Sequence, residues 1–204
     1  AMCPPGWVGE WLTEAGCVLD VRRPYRGNAL PDHLDDHRSM VVLGGSMDAY
    51  ADDRHPWLTQ VKQLVRLAAE TRVPTLGICL GHQLAAVALG GAVHKNPRCQ
   101  QIGVLDFGWT GTAAVDPLLG AVSDASVAVQ WNNDIVSIAP VGTEVIAHTP
   151  AGEIQAARFA PSVWGVQSHP EAGAEIVTAW AENDRDFAAE RGVDVDEYVA
   201  KVAA

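Results

Sequence analysis

The sequence predicts an α/β protein whose parallel β-sheet is covered by helices on both faces. In the first half of the chain, short apolar runs alternate with stretches of helical periodicity, the pattern of parallel strands joined by helices. Glycine-rich turns end the apolar runs and place candidate ligand-binding segments at the carboxyl ends of the strands. The 204 residues, 48% of them hydrophobic and 19% charged, suit a single globular domain.

Five elements are predicted in this first half. A helix begins near Trp7, where apolar residues recur at helical spacing. Met40–Leu43 is a short buried strand. A second helix covers Trp57–Thr71, with a proline just before it and another after its end. The strand Thr75–Cys79 then runs directly into a helix over His82–Leu89.

The second half of the chain is richer in strands. Five are predicted, at Ile102–Leu105, Val127–Trp131, Glu144–Ala147, Ile154–Arg158 and Trp164–Gln167. Two helices close the chain, over residues 174–191 and 195–202. Because no internal repeat, low-complexity tract or linker-like stretch divides the sequence, residues 1–204 are predicted to form one domain.

The composition argues against several classes of function. Lys and Arg total 14 against 25 Asp and Glu, a formal charge of −11, which disfavours nucleic acid and anionic membranes as partners. No apolar stretch reaches the roughly 18 residues of a membrane span, and no signal peptide opens the chain, so a cytoplasmic location is expected. The four cysteines, Cys3, Cys17, Cys79 and Cys99, lack the spacing of a zinc site or a disulfide framework.

The stretch Gly77-Ile78-Cys79-Leu80-Gly81 has the pattern of a nucleophile elbow between a strand and a helix, with cysteine as the nucleophile. A Cβ at either glycine would collide with a neighbouring element in so tight a turn. The helix N-terminus favours a thiolate, and the N–H of Leu80 points toward the place where an oxyanion would form. Taken alone, the pentapeptide is as compatible with a buried structural cysteine between packing glycines.

A second motif, Ser168-His169-Pro170-Glu171, follows an apolar strand. Proline favours an extended conformation at the residue before it, and side chains two apart in an extended segment share a face. His169 and Glu171 can therefore project together, with Glu171 orienting an imidazole that serves the Cys79 thiol. A surface turn is the alternative for this motif alone, but the pair of motifs favours catalysis.

Other candidates carry weaker signals. Gly44-Gly45 ends the Met40–Leu43 strand and offers a second backbone N–H to an oxyanion, without the lysine or spacing of a nucleotide loop. His33 and His37 lie four apart among aspartates and could hold a metal, although a solvated loop is the favoured interpretation. Four tryptophans fall on apolar helix faces and are expected in the core: Trp7, Trp11, Trp57 and Trp180.

Together these motifs resemble the class I (triad) glutamine amidotransferases, in particular the free-standing branch related to the amidotransferase domain of GMP synthase. The resemblance is carried by VVLGGSMDAYADDRHPWL, GICLGHQ and SHPE, and runs from about Trp7 to Trp180. It implies a three-layer, flavodoxin-like α/β sandwich around a mixed, mainly parallel sheet. Cys79 would be the nucleophile, His169 the base and acid, and Glu171 the third triad member.

The resemblance also implies the substrate contacts. The N–H groups of Gly45 and Leu80 would form the oxyanion hole, and Gln83 would contact the substrate glutamine. The α-amino and carboxylate groups would be held through backbone atoms of a segment comprising Trp131, Asn132, Asn133 and Asp134. Many relatives have histidine where this chain has Asn132. Relatives also begin with an apolar strand, so a further strand before Ala1 is expected in the natural chain.

The expected activity is release of ammonia from glutamine through a γ-glutamyl thioester, without metal or organic cofactor. The partner would then be a separate synthase subunit. A self-sufficient γ-glutamyl hydrolase or peptidase stays open, as does a non-catalytic binding or regulatory relative. The acidic loop Ser46–His55 and the Trp131–Asp134 segment could either dock a synthase or form the wall of a larger substrate pocket.

Overall fold

The computed structural model describes residues 3–98, 100–183 and 194–203. Within these ranges the strands are β1 Met40–Val42, β2 Thr75–Ile78, β3 Ala92–Lys95, β4 Gln101–Asp106, β5 Gly108–Trp109, β6 Val127–Asn132, β7 Asp134–Ile138, β8 Glu144–His148, β9 Ile154–Ala160 and β10 Val163–Val166. The helices are α1 Gly6–Glu14, α2 Trp57–Thr71, α3 Leu80–Ala88, α4 Ala174–Asn183 and α5 Val195–Ala203. Short 3-10 turns lie at Pro24–Arg26, Ala113–Val115 and Gly120–Val122.

Six strands form the main sheet, in the order β1-β2-β10-β9-β8-β5. β1, β2 and β10 pair in parallel, whereas β9, β8 and β5 continue the sheet in antiparallel fashion. The parallel strands are connected through helices or long excursions, while β8, β9 and β10 follow one another through short turns that reverse the chain. The predicted mixed α/β fold is confirmed, and its parallel part carries the two sequence motifs.

Both faces of the sheet are covered, which gives three layers. Alternate residues of a strand point to opposite faces, so Val163 packs with α2 and α3 while its neighbour Trp164 packs on the other side. The second face is covered by Val8 of α1 and by the segment that includes Ala113 and Leu119. Apolar burial on both sides of the sheet is the main stabilising contribution to such a core.

Two antiparallel ribbons stand beside the main sheet. β3 pairs with β7, placing Lys95 opposite Asp134, and β4 pairs with β6, placing Gln101 opposite Asn132. A separate apolar cluster joins the second ribbon to α4 and α5. The turn between β6 and β7 is consequently shared by both ribbons, which fixes the Asn132–Asp134 backbone beside the carboxyl end of β2.

The predicted elements are largely matched by the structure, with specific exceptions. The helix over Trp57–Thr71 has the predicted bounds, but β3, β5 and β7 were not predicted. The helix expected over residues 174–191 ends at Asn183 within the described part of the chain, and residues 184–193 lie outside it. None of the described helices is long and apolar enough to cross a membrane.

The prediction that Trp7 and Trp11 belong to the core is wrong. Their side chains are 44% and 53% exposed, and their rings contact each other at a centroid distance of 6.3 Å on the outside of α1. Trp57 is half-buried against the α2–α3 cluster and Trp180 is buried, as predicted. Helical periodicity shows which face of a helix is apolar but not whether another element covers that face.

β1 forms one edge of the main sheet among the described residues. Val18 and Val21 lie in the irregular segment after α1 and are exposed. An edge of this kind, with apolar residues left in solvent, could pair with another strand. The expectation that a further strand precedes Ala1 stays a prediction.

Candidate active site

Cys79 occupies a strained elbow between β2 and α3. Its backbone has φ 52° and ψ −104°, a conformation that L-residues rarely adopt and that costs on the order of 1–3 kcal/mol. The flanking glycines make the turn possible, because a Cβ on Gly77 would overlap the Gly81 carbonyl and a Cβ on Gly81 would overlap the carbonyl oxygen of Val42. The Cys79 N–H donates to the Val166 carbonyl oxygen at 2.9 Å, which ties the elbow to β10.

His169 and Glu171 form a buried pair just beyond β10. The imidazole Nδ1 lies 2.8 Å from Glu171 Oε1, and both side chains are almost completely excluded from solvent. The His169 N–H donates to Val129 of β6, which holds the segment against the neighbouring ribbon. The i, i+2 spacing therefore brings the two side chains together as the sequence predicts.

The electrostatics of this pair favour a protonated imidazole. Burial alone would lower the pKa of His169, but the charge of the neighbouring Cys79 and then the hydrogen-bonded Glu171 carboxylate outweigh it and raise this pKa to about 10. Nε2 has no hydrogen-bond partner within the described residues. His169 can thus carry a proton beside Cys79 while Glu171 compensates its charge and fixes the ring.

Gly44 brings the loop after β1 into contact with both motifs. A Cβ at this position would lie 3.2 Å from His169 Cε1 and 3.5 Å from the Cβ of Cys79. Distances of 3.2 Å are tighter than ordinary carbon contacts, so a larger residue would press on the imidazole. The glycine pair thus permits the close approach of β1 to the site.

The two predicted oxyanion donors lie on either side of the elbow. Leu80 is the first residue of α3, so its N–H has no acceptor within the helix. Gly45 lines the cavity, and the space beside its Cα is taken by Met47 and by the Leu80 side chain, 2.8 and 3.1 Å from where a Cβ would stand. Their assignment as oxyanion donors stays a prediction that this arrangement permits.

A cavity of about 490 Å³ opens beside Cys79 and His169. Its walls come from the loop after β1, from β3 and from the turn between β6 and β7, with Trp180 of α4 on one side. The volume exceeds the space that a single reacting amide group would need. The site can therefore accept a substrate with groups beyond the reacting amide.

The four residues predicted to contact substrate all line this cavity, in different ways. Gln83 uses its Nε2 within the protein, donating to the Asp134 carbonyl at 3.0 Å and to Gln167 Oε1 at 3.2 Å. Asn132 is buried and donates from Nδ2 to Gln101. Through these hydrogen bonds, Gln83 connects α3, the helix after Cys79, to the turn between β6 and β7.

The remaining two residues, Trp131 and Asn133, form part of the cavity wall. The Trp131 ring stacks on Tyr198 at a centroid distance of 5.7 Å and also contacts Trp180 at 6.0 Å. The Asn133 carbonyl accepts a hydrogen bond from the Asn96 N–H at 2.7 Å, which closes the end of the β3–β7 ribbon. Their contact with a substrate stays a prediction.

Two residues at the site were not predicted there. Trp180 packs edge-on against the His169 ring, with the centroids 4.6 Å apart. Cys3 lines the same cavity, and its sulfur lies 3.2 Å from the point where a Gly44 Cβ would stand. Neither has a local motif, because their proximity to Cys79 arises from long-range packing.

The candidates set aside in the sequence do not form sites in the described part of the chain. His33 and His37 face Asp35 and Asp20 at 3.7 and 3.3 Å, and no group of three or more potential metal ligands is found among the described residues. Cys17 is exposed. Cys99 lies outside the described residues.

The burial of His82, which lies on α3 next to the elbow, leads us to expect that the free energy of unfolding falls in acid. Its ring is fully buried against Phe159 and the backbone of Gly165, and burial, only partly offset by the adjacent Gly165 backbone, lowers the pKa to about 4. The unfolded chain binds the proton near pH 6.5, so stability falls as the pH drops from there toward 4. The loss should approach about 3 kcal/mol in the free energy of unfolding.

Urea unfolding of the wild type and His82→Gln across this pH window tests the prediction. The variant should be less stable at neutral pH but should lose less on acidification. His33→Gln, at an exposed histidine, is the matched control and should follow the wild type. An equal acid loss in wild type and His82→Gln would contradict the assignment to His82.

The sequence and the fold of this chain were compared with those of known proteins. The model of the family Glutamine amidotransferase class-I matches residues 10–180. The glutamine amidotransferase-like protein YfeJ of Salmonella typhimurium is 29% identical over 176 residues, 82% of this chain and 71% of that protein. A crystal structure of a glutamine amidotransferase from Methylobacillus flagellatus is 30% identical and superposes with a TM-score of 0.81, covering 90% of this chain and 72% of the other.

Two further relatives are named for two different activities, a synthase and a peptidase. A glutamine-hydrolysing GMP synthase of Aeropyrum pernix is 30% identical over 182 residues, 85% of this chain but only 33% of that protein. Gamma-glutamyl peptidase 5 of Arabidopsis thaliana is 27% identical over 147 residues, 71% of this chain and 57% of the other. This chain thus spans a third and just over half of these two relatives. The extent of the family match shows that the chain belongs to the class I glutamine amidotransferases.

Proposed function

We propose that this protein hydrolyses the side-chain amide of glutamine and releases ammonia, with Cys79, His169 and Glu171 as the catalytic triad. The observation that carries the proposal is the buried His169–Glu171 pair, 2.8 Å between Nδ1 and Oε1, beside a cysteine on a strained elbow. A nucleophile, a base and an orienting carboxylate in this relation are the requirements of covalent amide hydrolysis.

The proposed reaction has two steps. The Cys79 thiolate attacks the γ-carbonyl carbon, and the N–H groups of Gly45 and Leu80 stabilise the oxyanion. The His169 imidazolium gives its proton to the leaving nitrogen, so ammonia departs and a γ-glutamyl thioester remains. His169 then takes a proton from water, whose oxygen attacks the thioester carbonyl, so that glutamate leaves and the Cys79 thiolate and His169 imidazolium are regenerated.

A γ-glutamyl amide or peptide is the second candidate substrate, and the cavity supports it. Asp48 and Tyr50, from the Ser46–His55 loop, line the cavity. Asp52 of the same loop is held by Lys62 at 2.6 Å rather than presented to a partner. The loop therefore suits the wall of a pocket, and the relative named a γ-glutamyl peptidase is consistent with substrates larger than glutamine.

We also propose that the ammonia serves a separate synthase. The GMP synthase relative matches this chain over only a third of its length, so in that protein a larger part lies outside the similar region. A polypeptide that supplies the ammonia-consuming step would be a protein partner of this chain. Poor glutamine hydrolysis by the isolated chain, restored by such a partner, is the behaviour expected of this arrangement.

Turnover by the isolated protein tests the proposed function. Free glutamine, γ-glutamyl amides and γ-glutamyl dipeptides are offered separately, and ammonia, amine and glutamate are measured, with Cys79→Ala as the blank. Hydrolysis of glutamine supports the first candidate, and hydrolysis of γ-glutamyl peptides with glutamine untouched supports the second. No turnover, together with no covalent labelling of Cys79 by a glutamine-like electrophile, would favour a non-catalytic relative.

A further inference from the structure

A second cysteine shares the centre of the site with Cys79. The point where a Cβ of Gly44 would stand lies 3.2 Å from Cys3 Sγ and 3.5 Å from Cys79 Cβ. The Cε1 atom of His169 lies 3.2 Å from the same point, and both cysteines line the same cavity. Because residue 44 is glycine, it places no side chain at this point, and the two cysteines are neighbours across it.

Backbone contacts hold the segment that carries Cys3 against the site. The Trp7 N–H donates to the Glu171 carbonyl oxygen at 3.1 Å. Gly6, with φ 48°, approaches this oxygen so closely that a Cβ would overlap it. Two consecutive prolines join Cys3 to this turn and restrict the backbone between them. The position of Cys3 beside Cys79 is therefore tied to the backbone of Glu171.

The surroundings give the two thiols different reactivity. The imidazolium of His169 compensates a thiolate on Cys79, and the thiolate is the form that peroxides oxidise. Burial, followed by the charges of Cys79 and Glu171, raises the pKa of the Cys3 thiol to about 12, so Cys3 is protonated. Conversion of the Cys79 thiolate to a sulfenic acid removes the second of these causes. The Cys3 thiol then loses its proton more readily than before.

We propose that Cys3 and Cys79 form a reversible disulfide when a hydroperoxide oxidises Cys79, which makes Cys3 the residue that protects the catalytic sulfur. The inference rests on the proposed function, because it takes Cys79 to be a thiolate paired with His169. The disulfide would stop amide hydrolysis until a thiol reduces it. It would also keep Cys79 from the irreversible sulfinic and sulfonic acids.

The chemistry takes two steps. The Cys79 thiolate attacks the terminal oxygen of the hydroperoxide, so the O–O bond breaks and an S–O bond forms, and the departing alkoxide takes the His169 proton and leaves as an alcohol. The sulfur has lost two electrons, and the peroxide has gained them. The Cys3 sulfur then attacks the sulfenic sulfur. This step forms the S–S bond, breaks the S–O bond and releases the hydroxyl group with the Cys3 proton as water.

Cys3 is the partner that has to move when the bond forms. A disulfide joins Cβ atoms about 3.5–4.5 Å apart. Cys79 is held between β2 and α3, and its N–H is bonded to β10. Cys3 precedes α1 and belongs to no helix or strand. Rotation of the Cys3 side chain and a shift of its backbone therefore close the distance with less disturbance of the sheet.

Mass analysis after peroxide treatment tests the proposal. The full chain is treated with a few equivalents of hydrogen peroxide, its free thiols are blocked, and it is digested without reduction. The wild type should be about 2 Da lighter, with the Cys3 and Cys79 peptides joined, and dithiothreitol should restore at least about 80% of its untreated activity. Cys17→Ser, at an exposed cysteine, is the matched control and should behave as wild type.

Cys3→Ser removes the thiol that resolves the sulfenic acid. After the same treatment, dimedone should trap Cys79, and without dimedone the chain should become about 32 Da heavier as the sulfinic acid forms. Dithiothreitol should then restore less than about 20% of the activity that this variant had before treatment. Should Cys3→Ser fail to fold, Cys3→Ala replaces it, and the peptide map of the wild type decides without either variant.

The outcomes separate this inference from the proposed function. If the oxidised wild type contains no Cys3–Cys79 disulfide, or if Cys3→Ser recovers as fully as the wild type, the inference is overturned. If the disulfide forms in a protein that hydrolyses neither glutamine nor a γ-glutamyl compound, the proposed function fails and the modification site stands.

Discussion

Replacing Cys79 with alanine is expected to lower kcat for amide hydrolysis by at least about 10⁴-fold, to the level of the uncatalysed background. Without the sulfur no thioester can form, whereas the cavity and its aspartates remain. The strained φ of 52° at this position is the same for cysteine and alanine, but the substitution removes a buried sulfur from the core cluster. Thermal unfolding should therefore accompany the assay, with a folded Cys79→Ala protein required for the comparison.

Labelling by an electrophilic glutamine analogue supplies the second readout. Mass analysis should locate the adduct on Cys79 and on none of Cys3, Cys17 and Cys99. Cys3 is the demanding control because it lies in the same cavity, but burial, then the charges of Cys79 and Glu171, raise the pKa of its thiol to about 12. At neutral pH it is a protonated, poorly nucleophilic thiol. An adduct on Cys3, or full turnover by Cys79→Ala, would refute the assignment.

The second large effect is expected at His169. His169→Ala should reduce kcat by about 10³- to 10⁴-fold, because proton delivery to the leaving nitrogen and activation of water are both lost. Glu171→Gln should reduce kcat by about 10²-fold, since the amide still bonds Nδ1 but no longer compensates the imidazolium charge. The Cys79→Ala/His169→Ala double variant should be no worse than the worse single variant, as for residues that act as one unit.

His94→Ala controls for perturbation of the cavity. His94 also lines the cavity but is exposed on β3 and has no part in the proposed reaction, so its variant should keep kcat within about threefold. If His94→Ala were as damaging as His169→Ala, the loss would reflect cavity shape rather than proton transfer. If Glu171→Gln were more damaging than His169→Ala, the roles given to this pair would be wrong.

The sequence predicts the parts of the site whose spacing is local. The glycines around Cys79 and the two-residue separation of His169 and Glu171 impose their geometry within a few residues, and the structure shows both arrangements. Apolar periodicity likewise predicts α2 to the residue. In these cases, steric limits and side-chain period act along a single element.

Features that depend on contacts between distant segments were not predicted. β7 is short, with exposed residues at its far end, so its pairing with β3 decides its conformation more than its own pattern does. The position of Asp134 in the cavity wall follows from that pairing. The exposure of Trp7 on α1 depends on which surface the helix meets. Such outcomes are set by tertiary packing, which a single sequence does not display.

The hydrogen bond from the Cys79 N–H to Val166 has a consequence for control of the activity. Cys79 follows β2 and His169 follows β10, and these strands are adjacent and parallel, so the spacing of a ladder, about 4.8 Å, governs their separation. A docking protein could separate the pair only by breaking that ladder. On the proposed function, switching of the activity by such a protein would have to act elsewhere, on the loop that carries Gly45 and Asp48, while Cys79, His169 and Glu171 stay assembled in both the idle and the working state.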